Sequence, residues 1–125
     1  MKKQVETSAA PKADHILSQA IESNGLIFVS GQIYQKADGA LIDGSVEEKM
    51  EQVVSNIREI LNSAGSTLDD IVKVVIYVTD MAQMPKINEV YPTYFEKPYP
   101  AREAMCVKEL PLGATIEISV IAQTV

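Results

Sequence analysis

The sequence predicts an α+β domain in which two helices cover one face of a mixed β-sheet. Three observations carry this prediction: an amphipathic helical pattern after residue 45, an apolar run at residues 71–78, and two strand patterns between residues 101 and 122. Read in order, the elements follow a β-β-α-β-α-β-β pattern, which is typical of helices layered on a sheet. The 125 residues fit one domain, residues 1–125, that is long enough to bury a hydrophobic core.

The N-terminal third predicts a hairpin with an extended arm before it. Residues 1–12 predict a short edge strand or an arm that runs into a loop. Residues 16–21 alternate weakly, and Asn24-Gly25 favours a tight hairpin turn before the apolar residues 26–29. Two Asp-Gly pairs within residues 36–44 then predict a loop or a small hairpin.

The first helix has the clearest local signals in the chain. Ser45 and Glu48 form a capping-box pattern, and Gly65 is suited to end the helix. The apolar residues between these limits recur at helical spacing: Met50, Val53, Val54, Ile57, Ile60 and Leu61.

The second half predicts a buried strand, a helix and two further strands. Residues 71–78 are nearly all apolar, which suits a central strand buried on both faces. A second helix is capped near Asp80 and begins close to Met84, because Pro85 is tolerated only in a first turn. Its apolar face consists of Met84, Ile87, Val90, Tyr91 and Tyr94. Residues 101–107 and 114–122 predict strands joined by a turn, in which Pro111 fixes φ and Gly113 takes a positive φ.

Composition and charge limit the possible partners. A net charge of −6 argues against a broad nucleic-acid surface, since phosphate contacts need a basic face, although one arginine could still hold a small anion. The single cysteine, Cys106, excludes an intramolecular disulfide, and no signal-like or membrane-spanning run is visible. We therefore expect a cytoplasmic protein without a membrane partner. Because both helices cover one face, the other face of the sheet must be buried against a second copy or a ligand.

Two charged residues have mainly apolar neighbours within the last two predicted strands. Arg102 follows a proline, and Glu117 lies between Ile116 and Ile118, so it points to the face opposite theirs. We expect Arg102 and Glu117 to share a face, either as a site or as a structural salt bridge. A guanidinium binds a carboxylate through two parallel hydrogen bonds, and a carboxylate can hold a water or relay a proton.

Several short motifs, taken in order, resemble those of the RidA/YjgF family of reactive intermediate deaminases. They are Ser30-Gly31-Gln32-Ile33, Asn56-Ile57, Asp70-Ile71-Val72-Lys73, Asn88-Glu89-Val90-Tyr91, Pro100-Ala101-Arg102, Leu110-Pro111-Leu112-Gly113-Ala114, Ile116-Glu117-Ile118 and Ile121-Ala122. The resemblance covers roughly residues 9–122. It implies chorismate-mutase-like subunits that form a homotrimer around a central β-barrel, with sites in the clefts between subunits.

The resemblance also implies a reaction and its residues. Members hydrolyse 2-imino and 2-enamino acids, such as 2-aminoacrylate, 2-iminopropanoate and 2-iminobutanoate, to 2-oxo acids and ammonia, and no cofactor is expected. Arg102 would bind the substrate carboxylate, while Glu117 would position the water. Gly31 and Ala104 would offer backbone N–H groups, although Gly31 could merely end a strand.

Ser30 and Asn88 match family landmarks near the cleft, and a local backbone hydrogen bond explains either of them equally well. The sole histidine is His15, and no His, Cys, Asp and Glu cluster has metal-ligand spacing, so no metal is expected.

Two positions depart from the family pattern. In the deaminating members a tyrosine lines the cleft, and an ungapped count from Ser30 puts Leu17 at that position. This leucine could change the substrate range or remove the deaminase activity, or a shifted alignment could bring His15 into the cleft. Ala104 stands where many members carry cysteine, but it keeps the backbone donor, and Cys106 should share its face.

Three functions are therefore weighed: an imine deaminase, a non-catalytic module that binds 2-oxo acids or other carboxylates, and an endoribonuclease or translation inhibitor. The negative charge and the absence of a basic, aromatic surface argue against the third. A chaperone role is a further possibility on which the sequence is silent. Loss of ligand binding in Arg102→Ala fits the first two functions, but loss of turnover in Glu117→Ala fits the enzyme only.

Overall fold

The computed structural model describes residues 1–125 and contains one six-stranded mixed sheet with two α-helices on one face. The strands are β1 (Lys3–Val5), β2 (Ala20–Ser23), β3 (Leu26–Gln32), β4 (Ile71–Val78), β5 (Ala101–Cys106) and β6 (Ile116–Gln123), and the helices are α1 (Val46–Ser63) and α2 (Met84–Val90). In space the strands are ordered β1-β2-β3-β6-β4-β5, and only β4 and β5 run parallel. The predicted fold class is confirmed.

The N-terminal hairpin joins β2 and β3 through the predicted turn. Asn24 has φ 51° and Gly25 has φ 78°, the pair of positive values that a tight hairpin turn requires. β1 is a short edge strand beside β2. β2 begins at Ala20 and not at residue 16, because the N–H groups of Ile16 and Leu17 both donate to Ala13 O in a turn.

Helix α1 is held at both ends by the predicted groups. Ser45 N donates to Glu48 Oε1 at 3.0 Å, and Glu48 N donates to Ser45 Oγ at 3.1 Å. The backbone N–H of Ser45, which donates to the Glu48 carboxylate, is the main cause of a lowered pKa of this carboxyl. Beyond the helix Gly65 has φ 78°, and Ser66 N donates to Leu61 O. The predicted apolar residues of this helix are all buried.

Strand β4 lies inside the sheet, but only one of its faces is covered. Val74, Ile76 and Val78 are buried beneath the helices, whereas the residues that alternate with them are only partly buried, namely Lys73, Val75 and Tyr77. The prediction of burial on both faces is therefore wrong for a single chain, which has no second layer. The interior position follows from pairing with β6 on one side and β5 on the other.

The face of the sheet opposite the helices is open and partly apolar, as predicted. Its apolar side chains are Ile21, Phe28, Val75, Tyr77, Met105 and Ile121, as the strand register places them. Phe28 is 43% exposed and Met105 is 37% exposed, while Lys73 and Glu103 form a 2.7 Å ion pair among them. Neither α-helix combines the length and the hydropathy needed to span a bilayer.

Candidate functional site

Arg102 lies on the edge strand β5 and points to the helix side of the sheet. In the β4–β5 register it stands opposite Val74, a core residue. Its guanidinium carbon lies 4.7 Å from the centroid of the Tyr91 ring, and no carboxylate of the chain forms a salt bridge with it. Within one chain, a structural salt bridge is therefore excluded, and the guanidinium donors are free to bind an anion.

Glu117 lies on β6 and points to the open face. It stands opposite Tyr77, between the buried Ile116 and Ile118. Partial burial raises the pKa of its carboxyl, and neither a salt bridge nor a hydrogen bond opposes that shift. An unpaired carboxyl with a raised pKa is better suited to accept and return a proton than an ordinary surface carboxyl.

The Glu117 side chain passes directly over Gly31. A Cβ built on Gly31 would lie 2.8 Å from Glu117 Cδ and 3.3 Å from Glu117 Cγ, closer than ordinary carbon contacts. Glycine at this position therefore leaves room for the carboxylate, which is a third role beside the two considered from sequence.

The expectation that Arg102 and Glu117 share a face is wrong within one chain. Their partners on β4, Val74 and Tyr77, are an odd number of residues apart and so point to opposite faces. β4 also separates their strands, which puts them two strand spacings, about 10 Å, apart across the sheet. One small ligand cannot contact both side chains of the same chain.

The other predicted residues divide between these two positions. Ala104 stands opposite Ile76 on the Arg102 side, and Cys106, opposite Val78, shares that side as predicted. Asn88 is exposed on α2, three residues before Tyr91 and thus on the same side of the helix. We refer to Asn88, Arg102 and Ala104 as the arginine cluster.

Leu17, Ser30 and Gly31 line one cleft of about 170 Å³. Ser30 Oγ donates to Ser18 O at 2.6 Å, so a local backbone bond explains this hydroxyl. Leu17 is 44% exposed at the cleft, whereas His15 does not line it. We refer to Leu17, Ser30, Gly31 and Glu117 as the glutamate cluster, because Gly31 joins the cleft to the acid.

Larger depressions lie elsewhere and include none of the predicted residues. One of about 450 Å³ lies beside residues 96–100, and another of about 370 Å³ lies beside residues 108–115. Neither brings an unpaired acid together with an arginine. The arginine and glutamate clusters are therefore the candidate functional sites of the chain.

Sequence reasoning missed two residues that support the clusters. Tyr91 was predicted only as a core residue, yet its ring lies beneath Arg102. Gln19 is buried, and its amide Nε2 donates to Ala10 O and Pro11 O, which fixes the loop beside the cleft. Gln19 follows another polar residue, Ser18, so the local sequence gives no sign that it is buried.

Comparison with known proteins identifies the class to which this sheet and these clusters belong. Residues 7–124 match the Endoribonuclease L-PSP family. The chain belongs to this family, which includes the RidA/YjgF proteins that its motifs resemble.

Particular relatives agree over nearly the whole chain. The sequence is 37% identical over 123 residues to the mouse protein named 2-iminobutanoate/2-iminopropanoate deaminase, covering 98% of this chain and 91% of that one. The crystal structure of yeast Mmf1 superimposes with a TM-score of 0.97 at 39% identity, covering 100% of both chains. The structure of Escherichia coli TdcF with bound serine gives a TM-score of 0.91 at 31% identity, covering 98% of this chain and 99% of that chain.

Proposed function

We propose that the protein is an imine deaminase that hydrolyses 2-imino and 2-enamino acids to 2-oxo acids and ammonia. One observation carries the proposal: Arg102 and Glu117 each lack an ionic partner within the chain. Both residues stand at positions of the family motifs, and neither is occupied by a partner within the chain, so both charges are available to a ligand. The name of the mouse relative and the serine bound to TdcF support a ligand of the amino-acid class.

Hydrolysis of a 2-imino acid requires few catalytic groups. The carbon of a 2-imino acid is already electrophilic, so catalysis requires an oriented carboxylate, a positioned water and a proton path. Arg102 binds the carboxylate through two N–H donors. Glu117 takes a proton from the water as its oxygen bonds to the imine carbon, and passes that proton to the imine nitrogen to give a carbinolamine. Glu117 then takes the hydroxyl proton of the carbinolamine and delivers it to the nitrogen as the C=O bond forms and the C–N bond breaks. The products are the 2-oxo acid and ammonia.

We further propose that each site forms between two copies of the chain in a homotrimer. Arg102 and Glu117 lie on opposite faces of one sheet, so a ligand that meets both needs an arginine cluster from one subunit and a glutamate cluster from the next. The open apolar face, which includes the exposed Phe28 and Met105, also calls for a partner surface. The trimer is the assembly that the family resemblance implies.

Leu17 suggests the preferred substrate within this class. It contributes an aliphatic wall to the cleft that Ser30 and Gly31 also line. An apolar wall favours a longer aliphatic side chain, so 2-iminobutanoate should be preferred over 2-iminopropanoate. The same residue favours one alternative, a module that binds 2-oxo acids without turnover, because leucine has no proton to exchange.

A coupled assay tests the proposal. Threonine or serine dehydratase generates the imine, semicarbazide traps the portion that escapes, and the 2-oxo acid is measured with wild type, Arg102→Ala and Leu17→Tyr. We expect acceleration by wild type that is lost in Arg102→Ala. If wild type is inactive and Leu17→Tyr is active, the native chain is the binding module.

A further inference from the structure

The Tyr91 ring contacts the Arg102 guanidinium, which has no salt bridge within the chain. The ring centroid lies 4.7 Å from the guanidinium carbon, while no carboxylate forms a salt bridge with this arginine. The ring itself is fixed, since Tyr91 is 8% exposed and packs against Phe95 with 5.0 Å between ring centroids. A long, exposed side chain on an edge strand thus packs on a ring that is itself held in place.

An aromatic face suits an arginine that must bind an anion. A carboxylate partner would orient the guanidinium, but it would also occupy the N–H donors and neutralise the charge that a ligand needs. A ring face attracts the cation through its quadrupole and leaves the donors at the guanidinium edge unoccupied. The arrangement orients Arg102 without competing with a ligand carboxylate.

The hydroxyl of Tyr91 takes no part in this arrangement. It is buried and has no hydrogen-bond partner. Burial raises the pKa of this phenol, whereas the nearby Arg102 charge lowers it by a smaller amount. A buried donor without a partner destabilises a fold, so the hydroxyl should be dispensable while the ring is not.

We propose that Tyr91 is the positioning residue for Arg102, and that its ring fixes the guanidinium in the orientation that binds the substrate carboxylate. The proposal rests on the proposed function for the nature of the ligand. It requires that the ring, and not the hydroxyl, determine affinity. Substrate turnover, once the ligand is bound, should be nearly independent of Tyr91.

The test compares Tyr91→Phe, which keeps the ring, with Tyr91→Leu and Tyr91→Met, which remove it. Two ring-free variants are used so that a folding failure in one does not decide the result. Phe95→Leu is the matched control, because it loosens the packing against Tyr91 without removing the ring beneath Arg102.

We expect Tyr91→Phe to keep wild-type KM, and the ring-free variants to raise KM about 2- to 5-fold, the range of a solvent-exposed cation–π contact, with kcat changed less than about twofold. Phe95→Leu should lower Tm but raise KM much less than the ring-free variants do, because the ring remains beneath Arg102. Wild-type KM in Tyr91→Leu or Tyr91→Met, or an equal rise in KM for Phe95→Leu, would overturn the proposal.

An NMR measurement tests the positioning without any activity. The side-chain Hδ and Nε–H resonances of Arg102 should be shifted upfield by the ring current in wild type and in Tyr91→Phe. They should return to random-coil values in Tyr91→Leu. Unshifted Arg102 resonances in wild type would refute the positioning, whereas an inactive wild type with shifted resonances would refute only the deaminase function.

Discussion

Gly31→Ala should separate catalysis from stability at this site. The added Cβ would lie 2.8 Å from Glu117 Cδ, whereas carbon atoms pack at about 3.5–4.0 Å, so the carboxylate must move by about 1 Å. A misplacement of about 1 Å at a catalytic group can cost about 100-fold in rate. We therefore expect kcat to fall by about two orders of magnitude.

The stability of Gly31→Ala should change little. The clashing atoms are the far end of a flexible side chain, and Gly31 does not have a positive φ, so alanine fits the backbone. Alanine also reduces the entropy of the unfolded chain, worth about 0.4–1 kcal/mol in favour of folding. The free energy of unfolding in urea should stay within about 1 kcal/mol of wild type.

Gly44→Ala is the matched control for this experiment. Its added Cβ would meet another glutamate, with Glu48 Cδ at 3.0 Å, but at the start of α1 and outside both clusters. It should keep wild-type kcat. A double-mutant cycle adds a sharper criterion, because Gly31→Ala should have no further effect on rate in a Glu117→Ala background. If Gly31→Ala lowers kcat by the same factor in the wild-type and the Glu117→Ala backgrounds, Gly31 does not act through Glu117.

Three further changes test the site and the fold. Leu17→Tyr should lower the preference for 2-iminobutanoate over 2-iminopropanoate, measured as the ratio of their kcat/KM values, by about fourfold, which corresponds to the burial of one methylene group. An unchanged ratio would show that Leu17 does not contact the substrate side chain. The Glu117 carboxyl has a raised pKa, so its neutral form favours folding below the ordinary value of 4.5 and this stability is lost as pH rises through the folded pKa. Glu117→Gln should therefore raise Tm at pH 8 but not near pH 4, and an equal gain at both pH values would contradict the burial argument. Ser45→Ala removes the helix cap and should cost about 1 kcal/mol in urea denaturation, with activity unchanged at saturating substrate, whereas unaltered stability would mean that the capping box does not support α1.

Local signals were sufficient for much of the fold. The Ser45 cap, the helical spacing of apolar residues and Gly65 together predicted α1, because helix ends are determined by groups within one turn. The Asn24-Gly25 turn was likewise readable, since both residues must take positive φ. These features depend on neighbours in sequence, and no distant contact overrides them.

The relation between Arg102 and Glu117 was not readable from sequence. The alternation of side chains shows which residues of one strand share a face of the sheet. It does not show which residues of two different strands share a face, because that depends on how each strand is aligned with the strand between them. Here β4 lies between β5 and β6, and it runs parallel to β5 and antiparallel to β6. The two alignments place Arg102 and Glu117 on opposite faces of the sheet. The contact of Tyr91 with Arg102 depends on the same long-range pairing.

Subunit complementation tests the central claim, that Arg102 of one subunit and Glu117 of another form each site. Arg102→Ala and Glu117→Ala chains are unfolded together in equal amounts, refolded, and assayed beside each variant refolded alone. Random assembly would unite an intact Arg102 with an intact Glu117 at about one quarter of the interfaces, so about one quarter of wild-type activity should return. Activity in the mixture no higher than that of the separate variants, although mixed oligomers have formed, would contradict the inter-subunit site.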